Sequence, residues 1–185
     1  MARTGQTMTV DEFLALGEAP FKYWLVEGHL VVNEPKLPHQ IAVGNILYAL
    51  QAWRRAAPGR GHVGMPADFR LDDRNVYAPD VWWVGEERKP APGALDLAGL
   101  PDLVVEVRSP STWRYDLGAK RAHYEQSGIA ELWLVDTLDQ AVSAHRRSVP
   151  GGPRYDVVDV VAGDSAVTSP LLPGFSAVAS RLFVP

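Results

Sequence analysis

The run Leu103-Val104-Val105-Glu106-Val107 sets one carboxylate among residues that otherwise belong in a protein interior. Aliphatic and β-branched residues without alternation read as a strand covered on both faces. Glutamate is almost never fully buried without a partner. Stripping a lone carboxylate of water costs several kcal/mol. A fold that uses this strand must therefore bring something cationic to Glu106. Side chains alternate along a strand, so Val104, Glu106 and Arg108 share one face. Leu103, Val105 and Val107 turn the other way, toward the core.

A second acid interrupts another apolar run, Val76-Tyr77-Ala78-Pro79-Asp80-Val81-Trp82-Trp83-Val84. If this strand pairs with the Glu106 strand, Asp80 and Glu106 converge. Two carboxylates sharing a site repel unless a cation sits between them. Mg²⁺ (or Mn²⁺) suits such a place, with hard oxygen ligands, few protein carboxylates and several retained waters. Asp102 shares the strand face of Glu106 but lies four residues away, about 13 Å at ~3.3 Å per residue, too far to hold the same small ion. Lys120 lies on the helix after the Glu106 strand, with Asp116 and Tyr124 one turn to either side. Two readings stand for it: a helix-surface pair with Asp116, or a lysine aimed at the carboxylates.

The remaining elements follow from local signals. Thr9 and Glu12 form a capping-box pattern that opens a short helix, Val10 to Leu16, ended by Pro20. Leu25 to Val32 reads as a strand or tight hairpin with Gly28 at the bend. Pro35 and Pro38 break it. Val43, Ile46, Leu47, Leu50, Trp53 and Ala57 recur at helical steps and predict a helix from His39 to Ala57, stopped by Pro58 and Gly59. Strands are expected over His62 to Leu71 and Val76 to Val84, joined by the turn Asp72-Asp73-Arg74-Asn75. A charged, Pro- and Gly-rich surface loop spans Glu86 to Gly99. Thr112 to Gln126 is helical, closed by Gly128. Glu131 to Asp136, Ala141 to Arg146 and Arg154 to Val161 complete the strands, and Pro170 to Pro185 is an irregular tail with a few apolar anchors. This order predicts one α/β domain, bordering on α+β, with a mixed sheet flanked by helices and extra antiparallel strands.

Composition closes other routes. The 185 residues suit one domain with a proper core. With no cysteine, disulfides, zinc–thiolate sites and a cysteine nucleophile are excluded. A net charge of −4 argues against a uniformly basic nucleic-acid binder, though not against a local basic patch. No apolar window is long enough to span a membrane. The N-terminus carries acids where a signal peptide has its apolar stretch, so a cytoplasmic protein is the simplest expectation. Gly59-Arg60-Gly61-His62-Val63-Gly64 fits G-x-G-x-x-G, but a helix precedes it and a strand follows, the reverse of the dinucleotide-binding context. The adjacent Trp82 and Trp83 must face opposite ways in a strand, which predicts one exposed ring and a plausible subunit contact.

Pro79-Asp80 followed by Glu106-Val107-Arg108 resembles the PD-(D/E)XK nuclease pattern. The stretch Pro101 to Thr112, then Asp116, Lys120, Tyr124, Gly128 and Leu132-Trp133-Leu134-Val135-Asp136, resembles more specifically a bacterial restriction endonuclease-like family of unknown function. Met8 to Leu14, the Glu27-Gly28 bend, His39 at a helix start, Pro79-Asp80-Val81 and Leu172-Pro173-Gly174-Phe175 extend the resemblance over nearly the whole chain. It implies a single restriction endonuclease-like domain over 1–185, with an N-terminal extension over about 1–38, a core over about 39–136 and C-terminal strands over about 137–185.

The resemblance also implies metal-dependent cleavage of DNA phosphodiesters, with Asp80 and Glu106 ligating Mg²⁺ or Mn²⁺. The third motif position, normally lysine, is Arg108, which can stabilise charge but cannot give up a proton. The lysine role passes to Lys120. Glu27, His39 and Tyr124 are supporting candidates, and Arg114 and Arg121 candidates for holding neighbouring phosphates, in a basic island running from Arg108 to His123. One departure stands out: Trp24 follows Tyr23 where the family commonly has an acid. Three functions compete: a metal-dependent endonuclease, homodimeric if it cuts both strands; a catalytically inactive nuclease-fold module for binding or assembly; and a hydrolase of smaller phosphate esters.

Overall fold

In the computed structural model, residues 7–16, 22–33, 35–94, 97–110 and 112–185 are described. Pro20, expected to end the first helix, and Ser111 of the central motif lie outside them. In chain order, α1 (Val10–Leu14) is followed by the hairpin β1 (Lys22–Val26) and β2 (His29–Asn33), then α2 (Leu37–Arg55). Strands β3 (His62–Gly64), β4 (Phe69–Asp72), β5 (Asn75–Tyr77), β6 (Val81–Val84) and β7 (Leu103–Val107) come next. A crossover then runs through α3 (Trp113–Tyr115), a π-helical turn (Asp116–Lys120) and α4 (Arg121–Gln126). Strands β8 (Glu131–Asp136), β9 (Ala141–Arg146), β10 (Val157–Ala162), β11 (Ala166–Val167) and β12 (Ala177–Val178) lead to a 3₁₀ turn at Ala179–Leu182.

The main sheet has six strands in the order β10-β9-β8-β7-β6-β3. All its neighbours are antiparallel except β7 and β8, which run parallel and are joined by the crossover. Leu103, Val105 and Val107 pack under α2, on Ile46, Leu50 and Trp53. The face carrying Val104 and Glu106 is not open to water. Tyr115 and Tyr124 of the crossover cover it, together with Trp24 and Tyr77 from a second, four-stranded sheet ordered β2-β1-β5-β4. This double cover explains why β7 lacks polar alternation.

Several expectations are corrected. The run from Val76 to Val84 is two strands in two sheets, because Pro79 has no N–H to give to a ladder. The run from His62 to Leu71 divides in the same way around Pro66. Pro38 does not precede α2 but sits in its first turn, where a missing N–H costs nothing, so the helix begins at Leu37 rather than His39. The strand expected from Arg154 begins at Val157, since the Tyr155 N–H is given to Glu125 Oε1 instead. The tail carries the apolar anchors expected of it, Leu172, Phe175 and Leu182, which close the core on the α2 side, and adds one short strand, β12, paired with β11. Trp82 and Trp83 do face opposite ways, yet both are buried, one against Phe69 and the other in the α2 core. No exposed tryptophan at this position offers a subunit contact.

The Gly59–Gly64 run has a structural explanation. Gly61 has φ of 66°, and a Cβ there would lie 2.0 Å from the Val84 carbonyl oxygen. Gly64 lies flat against the Trp82 ring. These glycines let β3 approach β6. Gly61→Ala is expected to cost about 2 kcal/mol or more through overpacking and a strained φ, read as a lowered urea midpoint with an unchanged slope.

Candidate active site

Pro79 ends the small-sheet path, and the next residue joins the main sheet. The Asp80 N–H donates to the Val105 carbonyl at 3.0 Å. In return, Asp80 Oδ2 accepts the Val107 N–H at 2.9 Å. Asp80 is thus clasped to the strand that carries Glu106. A third group reaches it from α2: His39 Nε2 lies 3.1 Å from Asp80 Oδ2. Asp80, Glu106 and His39 are all buried.

The cation demanded by Glu106 is Lys120. Its Nζ lies 2.9 Å from Glu106 Oε1 and 2.9 Å from Asp116 Oδ1. Tyr124 donates its hydroxyl to the same Glu106 oxygen at 2.6 Å. The Asp116–Lys120 pair therefore exists, but inside the protein rather than on a helix surface: Lys120 is 0 % exposed. The ammonium also sits 3.8 Å from the centre of the Trp24 ring and 5.6 Å from that of Tyr77. Such faces attract a desolvated cation. All these contacts meet at the π-helical turn, a local widening frequent at functional sites.

The charges respond to this burial. Loss of water pushes Glu106 up to about 7; the Lys120 ammonium opposes this, and the negative charges of Asp116 and Asp80 reinforce it. Burial alone would lower Lys120, but Asp116 and Glu106 together hold it above its ordinary value. Tyr124 is raised by burial and by the adjacent Glu106 charge, so it stays a hydroxyl donor.

Other candidate residues lie elsewhere. Arg108 does not continue the Glu106 face, because β7 ends at Val107; its Nη1 pairs with Asp136 Oδ2 at 2.7 Å. Glu27 is an exposed turn residue at φ 51°, and its backbone N–H, not its carboxylate, is anchored, to Asn75 Oδ1. Arg114 folds over the Tyr115 ring, and Arg121 is half-buried on α4. Asp102 accepts the Gly85 N–H and pairs with Arg88, away from the site. The sequence reading missed the Trp24 and Tyr77 faces over Lys120. Its only hint was that Trp24 stands where an acid was expected.

The donor set fits a hard divalent cation. Two adjoining carboxylates with the remaining positions left to water match the habit of Mg²⁺. Glu106 is raised first by loss of water, and the charges of Asp116 and Asp80 add to that; a cation beside it would oppose both. Among the described residues no group of three or more His, Cys, Asp or Glu could hold a metal ion; the carboxylates that meet here are Asp80 and Glu106.

The six-stranded mixed sheet, its crossover helices and the smaller antiparallel sheets define a mixed α/β protein, with Asp80, Glu106 and Lys120 buried at its centre. The chain belongs to the Uma2 family, described as putative restriction endonuclease, whose sequence model matches residues 10–181. It is also similar to a solved structure described as a putative nuclease belonging to DUF820 from Anabaena variabilis ATCC 29413. The TM-score is 0.78 at 20% identity, over 95% of this chain and 97% of that one, which shows a shared fold. No curated protein matches the chain.

The buried ion triad makes a stability prediction. Lys120→Met leaves Glu106 and Asp116 buried without their cation and is expected to cost about 3–5 kcal/mol. Tyr124→Phe, which removes one hydrogen bond to a charged group, is expected to cost about 1.5–3 kcal/mol. Urea denaturation of the three proteins side by side gives the order.

Proposed function

We propose that this protein is a metal-dependent endonuclease that hydrolyses phosphodiester bonds of DNA. The observation that carries the reading is the clasp between Asp80 and β7, which sets two carboxylates from adjoining strands beside one another with Lys120 on Glu106. Mg²⁺ or Mn²⁺ held by Asp80 and Glu106 would supply a water of lowered pKa and polarise the scissile phosphate. The chain's own residues prepare that place. His39 and the Val107 N–H fix Asp80, while Lys120 and Tyr124 fix Glu106. Lys120 keeps its proton and acts through Glu106, as a positioning charge. Arg108, just past the end of β7 and paired with Asp136, would be the nearest arginine to meet phosphate charge. Arg114 and Arg121 of the crossover would be further phosphate contacts.

One observation favours a second reading, a nuclease-fold module that binds without cutting. The Lys120 ammonium is shared between two carboxylates and roofed by Trp24, so it does not face solvent.

Nicking of supercoiled plasmid separates the two. The nuclease reading expects nicking in Mg²⁺ or Mn²⁺, none in EDTA, and a loss of about 10²–10³ in rate for Glu106→Gln. Binding without nicking, in either metal, establishes the module instead.

Metal affinity carries its own pH signature. Glu106 is raised to about 7 in the metal-free protein, so below that pH a proton must leave before an ion binds. Calorimetric titration with Mn²⁺ is expected to show the apparent Kd weakening by up to about tenfold per unit as pH falls below 7. The same raised pKa means folding binds a proton between the ordinary glutamate value and 7. Its contribution to stability is fully present at acid pH and is lost as pH rises through 7.

A further inference from the structure

We infer that the free edge of β10 is a self-association surface. A second copy of this chain adds its own β10 there, antiparallel, and extends the main sheet across a two-fold axis at Val160. Of the two ends of that sheet, β3 is three residues long. At the other end β10 is six residues long and holds β9 through six consecutive pairs with no shift of register. Antiparallel strands turn the N–H and C=O of alternate residues toward each neighbour, so half of those on β10 point away from β9. Among the described residues no backbone group outside β9 meets β10 except the Ser165 N–H, which closes a turn on the Ala162 carbonyl. Proteins guard such an edge with lysine, proline, a bulge or a short strand. The sequence Val-Val-Asp-Val-Val-Ala, in regular register, has none of these. Val161 turns in against the core. Val158 and Val160, on the other face, are 51 % and 68 % exposed.

The charges select the occupant. Asp159 is the one charged residue of the strand, and Arg146 of β9 already pairs with it. An edge with no uncompensated charge gives a basic or acidic foreign strand nothing to recognise, and it lets two copies carrying the same charges approach. Symmetry and alternation then fix the register. Residues directly opposite in a sheet point to the same face, so the two-fold passes through a residue and not between two. At Asp159 it would set two carboxylates opposite one another, which destabilises the pairing. At Val158 the two strands would overlap only over residues 157–159. At Val160 they overlap over residues 158–162: Val160 meets Val160 of the second copy, Val158 meets Ala162, and Asp159 meets Val161. The two acids then lie diagonally, each held by its own Arg146. Such a contact is isologous and closes at a dimer. The edge is about 20 Å long at ~3.3 Å per residue. That places the contact at the low end of stable interfaces, near ~1,200 Å² in total, and makes the dimer one of micromolar affinity. Glu106, Leu134, Ser143 and Val160 lie in one row across β7 to β10. The two Glu106 positions are thus about 34 Å apart along the sheet at ~4.8 Å per strand, and the pairing rests on neither metal nor cleavage.

The test is sedimentation velocity on the full chain in EDTA, from about 1 to about 200 µM, where a monomer–dimer equilibrium is expected. Val160→Asp and Val160→Lys, at an exposed position outside the core, each weaken the dimer by at least about tenfold, because they set like charges across the axis. Mixed in equal amounts, the two variants recover a dimer, since position 160 faces itself. The same two charges placed at Val149, an exposed valine off the strand, change nothing. The chain has no cysteine, so a Val160→Cys protein cross-links on oxidation only between copies. It does so readily, at a Cα spacing that disulfides allow. Val158→Cys, about 14 Å from its counterpart, cross-links no faster than Val149→Cys. A monomer throughout the range, a dimer indifferent to Val160→Asp, or failure of the two charges to rescue one another overturns the proposal. So does cross-linking of Asp159→Cys in place of Val160→Cys. Plasmid nicking by the Val160→Asp protein reports separately on the nuclease reading.

Discussion

The ion pair between Glu106 and Lys120 governs how the rest of the molecule is built. Neither charge is tolerable alone in the interior. Together with Asp116 they form a triad with one positive and two negative groups, and Tyr124 supplies the remaining donor. Burying such a triad is a poor way to gain stability, since apolar residues of similar volume often do as well. Its cost is the reason to look for chemistry at this point in the fold. The surrounding layers serve the same end: Trp24 and Tyr77 from the small sheet exclude water from the lysine, and α2 brings His39 to the neighbouring acid.

The need for this triad was legible in one strand. Glu106 sits among aliphatic residues, and the cost of burying it predicts a cation. Lys120 was visible only as one of two readings, because i,i+4 spacing is the same for a surface pair and for a buried one. What decides between them is the cover over Val104 and Glu106, which comes from β1 and β5, distant in sequence. Trp24 was out of reach for that reason: an aromatic residue in a strand says nothing about the ammonium it faces.

Strand boundaries failed where proline was given too little weight. Pro66 and Pro79 each divide an apolar run between two sheets, and the second division is what carries Asp80 onto β7. Pro38 was given too much, since in a first helical turn it ends nothing. Periodicity was most reliable where contacts are local or the covering is uniform, as in α2, β7, β8 and β9. The exposed tryptophan failed because alternation states only that two side chains diverge, not that either side is open.

The parallel pairing of β7 with β8 has a consequence for how the molecule comes together. Parallel neighbours cannot be joined by a tight turn, so the crossover must be laid down between them. That crossover is also the segment that carries Asp116, Lys120 and Tyr124. Glu106 cannot leave water at low cost until these groups arrive, and they arrive only as the two strands align. Assembly of the sheet centre and assembly of the charged constellation are thus one cooperative event. A chain whose crossover has opened rehydrates Glu106 and loses the arrangement around it, so the charged constellation belongs to the fully assembled sheet and to no partly unfolded form.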